Sequence, residues 1–137
     1  MKTKNLFLVT IMIAAMSLFA FTSLYQQNKP WPVSEAARKV KNPVKNDSDN
    51  INIGKGLYAK HCRSCHGKNG EGDGTKASEL ETFPGDFTTK EFKDQTDGAI
   101  FYKTTEGRDD MPSFKKKISN EEDIWAIVHY LRTLKAG

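Results

Sequence analysis

The feature that leaves this chain least freedom is Cys62-Arg63-Ser64-Cys65-His66, two thiols and an imidazole at positions i, i+3 and i+4. On a helix these three positions share one face, so all three side chains must be presented to one object. The chain has only 2 cysteines, so no disulfide framework holds the remainder together. A structural zinc site would need two further Cys or His ligands, drawn from a pool that contains only His61, His66 and His129. A thioredoxin-type redox pair would need a neighbouring βαβ pattern, which the sequence lacks.

Covalent haem attachment satisfies the spacing. Two thiols can reach the two vinyl groups along one edge of a porphyrin while the imidazole approaches the iron, so C-x-x-C-H reads as c-type haem attachment. Cys62 and Cys65 are the attachment candidates and His66 is the proximal ligand. Met111 is the candidate for the sixth iron position, because Met1, Met12 and Met16 all lie in an apolar leader. It stands in Asp110-Met111-Pro112-Ser113-Phe114, where the proline stiffens a loop. Three alternatives stand beside it: Met111 as core filler, His129 as the ligand of a bis-His iron, or an open site. A thioether paired with histidine raises the reduction potential and leaves no position for oxygen or peroxide, which favours outer-sphere electron transfer.

The leader itself runs from basic Met1-Lys2-Thr3-Lys4-Asn5 into an uncharged stretch, Leu6 to Tyr25. That order is the pattern of an export signal. As a helix the 20 uncharged residues would extend roughly 30 Å, about the hydrocarbon thickness of a bilayer. Residues 1–25 are therefore a cleaved signal or an uncleaved N-terminal anchor, and both readings send the rest outside the cytoplasm. The formal charge of +4 falls to +2 once Lys2 and Lys4 are set aside, which makes no case for nucleic-acid binding.

Residues 26–50 are polar and carry Pro30, Pro32 and Pro43, the composition of an extended tether. Trp31 and Val33 are its apolar exceptions, suited to packing on a domain or, for Trp, to a membrane interface; Ser34 to Val40 suits a turn or two of helix. From residue 51 to 137 the punctuation is helical. Gly54, Leu57, Tyr58 and Cys62 fall at helical spacing and predict a helix running into the haem motif. Glycines at 67, 70, 72 and 74 break it, and Phe83 to Phe92 reads as loop with one short helical turn. Thr96 or Asp97 caps a second helix that Gly107 stops. Ser119 and Glu122 predict a capping box for the last helix, whose Ile124, Ile127, Val128, Leu131 and Leu134 line one face. On this pattern His129 falls at surface-like positions. The fold class is all-α.

In order and spacing, residues 51–134 resemble the bacterial branch of the class I cytochrome c family. Gly54 and Tyr58 stand where that family has the glycine and aromatic of its N-terminal helix, to be crossed by the C-terminal helix at Ile127 and Tyr130. The resemblance implies three to five helices wrapped around one covalently bound haem c, preceded here by an N-terminal hydrophobic helix. It implies Cys62 and Cys65 as attachment residues and His66 and Met111 as iron ligands, with Pro84 the nearest candidate for a carbonyl bonded to the proximal histidine. It also implies single-electron transfer between respiratory redox proteins on the periplasmic side of a membrane, with no catalysis and no small-molecule substrate. The competing functions are a haem subunit dedicated to one multi-subunit oxidoreductase, and a haem enzyme or gas sensor with an open iron. Lys115-Lys116-Lys117 suits docking of an acidic partner or, more plainly, a solvated surface.

Overall fold

Helices build the described residues, 30–137 of this computed structural model, with no strand among them. The expected leader helix lies outside that range. The order is α1 (Glu35–Lys39), α2 (Ser48–His61), α3 (Arg63–His66), a 3-10 turn (Ala77–Glu79), α4 (Lys90–Lys93), α5 (Asp97–Glu106) and α6 (Glu121–Thr133). That makes six α-helices among the described residues where three to five were expected, because three of them, α1, α3 and α4, are single turns.

Each longer helix starts on a side chain that satisfies an otherwise orphaned amide. Asp47 accepts from the amide of Asn50 at the start of α2, and Thr96 from that of Ala99 at the start of α5. Gly107 ends α5 as expected. The capping box at Ser119 does not form. Asn120, one residue later, is the cap of α6, and its Oδ1 accepts from the amide of Glu122 at 3.2 Å. Asn caps as well as Ser does, so composition alone left the register open by one residue.

Helix α6 is the buried centre of the molecule: Ile124, Trp125, Ala126, Ile127, Val128 and Leu131 are all buried. Helix α2 crosses it at Gly54, where a Cβ would stand 2.1 Å from the Ala126 carbonyl oxygen. The crossing point is thus Ala126–Ile127, and Tyr130 pairs with Tyr58 one turn away, their rings 5.2 Å apart. The far end of α6 is held from outside itself. Lys93 donates to the carbonyls of Leu131, Arg132 and Leu134, and Arg132 pairs with Asp97 at 2.7 Å. These cations sit where the helix leaves its last carbonyls unpaired.

The segment expected to be a tether is folded from Val33 onward, as part of the compact unit Val33–Gly137. Val33 is buried, Asn42 donates to the Trp125 carbonyl, and Val44 packs on the core. His129, expected at the surface, is 7% exposed and its Nε2 lies 2.8 Å from the Val44 carbonyl oxygen. The polar tether composition hid these contacts because the hydrogen-bonded partners stand 83 and 85 residues away in the sequence. With its ring nitrogen so engaged, His129 is a packing residue.

Gly54→Ala places a methyl against main chain that cannot move aside. It is expected to destabilise the fold by about 1–3 kcal/mol, read as a lower urea midpoint. An unchanged midpoint would show that the helices do not cross at this residue.

Candidate haem site

The haem motif begins where α2 ends. Cys62 closes α2, its amide bonded to the Tyr58 carbonyl, and its own carbonyl accepts from the amides of Cys65 and His66 at 3.1 and 3.0 Å. One helical turn therefore carries both thiols and the imidazole, as the spacing requires. Both cysteines are unpaired and half-buried. Burial, with Cys65 nearby, pushes the Cys62 thiol up to about 12, so the free thiol is neutral near pH 7.

His66 is 8% exposed, and its Nδ1 is buried with no hydrogen-bond partner. Burial lowers its pKa to about 4, so the ring is the neutral, ligating form at physiological pH. The Pro84 carbonyl does not accept from it. Instead the Phe87 amide bonds to the Gly70 carbonyl at 2.7 Å, and the Phe87 ring lies stacked on the imidazole, centroids 4.5 Å apart and 26° between planes. Phe92 backs Phe87 at 4.7 Å. The loop after the motif is tied in as well: the Gly72 amide bonds to the His66 carbonyl, and the Tyr58 hydroxyl donates to that of Gly67 at 2.7 Å. Phe87 and Phe92 were missed as site residues. Their only signal was two aromatics in a stretch otherwise read as loop.

Met111 is half-buried and packs against the core. It is presented by a tight hairpin in which the Arg108 and Met111 amides each bond the other's carbonyl at 2.8 Å. The turn needs Gly107 at φ 70°, where a side chain would meet the Met111 carbonyl, and Asp109 at φ 51°, a left-handed position that Asp tolerates. Ser113 and Phe114 then bond back to the carbonyls of Thr105 and Thr104.

Two free thiols and a buried imidazole with an orphaned nitrogen in one helical turn are a donor set that fits haem. A family profile described as cytochrome c oxidase, cbb3-type, subunit III, matches residues 49–131, more than half of the chain. The chain belongs to this family of c-type cytochromes. The cytochrome carries covalently bound haem c. It is also similar to a solved chain of the Kuenenia stuttgartiensis reducing HAO-like protein complex, with 31% identity and a TM-score of 0.62. The match covers 82% of this cytochrome and 54% of that chain, about half of the relative's length. Among curated proteins none matches.

Acid should detach His66 late. Its folded pKa lies below the ordinary 6.5, so the folded state is undiminished above pH 6.5 and loses stability as pH falls toward about 4. A metal bond to the ring pushes that window lower still. The absorption spectrum of the haem protein should therefore hold down to about pH 4; a histidine-loss transition between pH 5 and 7 would contradict the burial.

Proposed function

We propose that this chain is a mono-haem electron carrier in which Cys62 and Cys65 would hold the haem through thioether bonds and His66 and Met111 would ligate its iron. The observation that carries the reading is the Met111 hairpin, whose main chain is bonded to itself and anchored back to α5. A methionine used only as core filler needs no such frame. When bound, haem supplies one-electron exchange between ferrous and ferric iron. The chain's part is to keep two ligating side chains in place in both states: His66 by the Phe87 stack, Met111 by its hairpin. A site held from both sides reorganises little on electron transfer and admits no substrate, so the reading includes no catalysis.

The same reading puts the domain outside the cytoplasm, on the periplasmic side, because residues 1–25 have the pattern of an export signal or anchor. Its partners are redox proteins. A second reading, a haem subunit dedicated to one oxidoreductase, has its own support: the matched relative belongs to a protein complex and the family profile is described as an oxidase subunit. Stable co-purification with an enzyme selects that reading, and purification as a free carrier selects the shuttle.

Met111→Ala should abolish the weak far-red band of the oxidised protein, lower the reduction potential and let carbon monoxide bind the reduced form, while haem stays attached on a denaturing gel. Carbon monoxide binding by the unaltered reduced protein at neutral pH would sink Met111 ligation and favour an open-iron enzyme or sensor. Cys62→Ser with Cys65→Ser should release the haem on the same gel; haem that stays attached would exclude these thiols.

A further inference from the structure

The Met111 hairpin is bonded to α5 through Ser113 to the Thr105 carbonyl at 2.6 Å and Phe114 to the Thr104 carbonyl at 3.2 Å. Across from that anchor, Asp110 Oδ2 accepts both from the Thr82 amide at 3.0 Å and from the Thr82 hydroxyl at 3.2 Å. Thr82 lies 28 residues earlier, in the loop that packs on the haem motif. The next residue, Phe83, lays its ring over Gly72, whose amide bonds the His66 carbonyl, and Phe87 of the same loop stacks on the His66 ring.

We infer that Asp110 and Thr82 form a clasp that ties the Met111 loop to the His66 loop and thereby keeps the methionine thioether on the iron. Asp110 is a positioning residue: it acts through its chain neighbour Met111. A carboxylate oxygen receiving two donors makes a charge-assisted contact, stronger than a neutral one of the same length. Its exposure limits its worth to the stability of the whole fold. Its leverage falls on local opening, because it joins the hairpin to the loop that carries Phe83 and Phe87. The inference rests on Met111 ligation, and its test separates the two.

The test uses full-length haem-loaded protein in the oxidised state and exogenous imidazole as the probe, which enters only when the thioether leaves. Asp110→Ala should speed imidazole entry about tenfold, as expected for losing a pair of hydrogen bonds, and should shift the thermal loss of the far-red band to lower temperature. Thr82→Val removes one of the two bonds and should fall between. Asp110→Asn, whose amide oxygen still accepts, should restore most of the slow rate. In a Met111→Ala background Asp110→Ala should change nothing further. Unaltered imidazole entry and far-red band in Asp110→Ala, with Met111→Ala still losing the band, would overturn the clasp and leave Met111 ligation standing. Equal acceleration in the Met111→Ala background would also overturn it, since the effect would not then act through the thioether. A native protein without the far-red band would overturn both.

Discussion

The close crossing of α2 over α6 is the constraint from which the rest of the arrangement follows. At Gly54 the two helices approach until one backbone rests on the other at Ala126. A side chain of any size there would lever the helices apart, and α2 would then deliver its C-terminal turn somewhere else. Cys62 caps that turn and leads directly into α3, which carries Cys65 and His66. Burial of α6 supplies the matching requirement, because Trp125, Ile127 and Val128 are fully enclosed and leave the helix no freedom to rotate. The position of the haem motif is in this way set two turns upstream by a missing methyl group.

Around the motif the protein spends few hydrogen bonds on the imidazole itself. His66 is oriented by the flat face of Phe87, backed by Phe92, with Nδ1 left without an acceptor. A ring fixed by stacking keeps its plane while its nitrogens receive no electron density from a protein acceptor. The family's usual device is a carbonyl bonded to the second nitrogen; here stacking on Phe87 takes its place in fixing the ring. At Met111, main-chain bonds of the hairpin do the holding that aromatic packing does at His66. The contrast suits the two residues, since an imidazole offers a plane to stack on and a flexible thioether does not.

How much could be read in advance varies with the range of the interaction concerned. The helices of the haem motif, α5 with its Thr96 cap and Gly107 stop, and the apolar face of α6 were all visible, because each depends on residues within a turn or two. The site candidates were visible for the same reason: a three-residue spacing and a lone methionine beyond the leader. What escaped notice was non-local. His129 looked like a surface residue until Val44, 85 positions away, supplied its partner. Phe87 looked like loop filler until its main chain met Gly70. The Pro84 assignment failed similarly, since a carbonyl's direction depends on a loop path that composition does not encode.

The chemistry of this protein was therefore written into one short stretch of its sequence: two thiols and an imidazole in one helical turn are committed to a common target wherever the helix goes. Helix content was likewise local, because caps, stops and periodicity act over a few residues. Only the folded chain decided that residues 33–50 wrap onto the domain, that an aromatic rather than a carbonyl holds His66, and that the loop around Thr82 reaches Asp110. Those outcomes depend on which distant backbone groups meet once the core closes, and such meetings are a property of packing that no single segment carries.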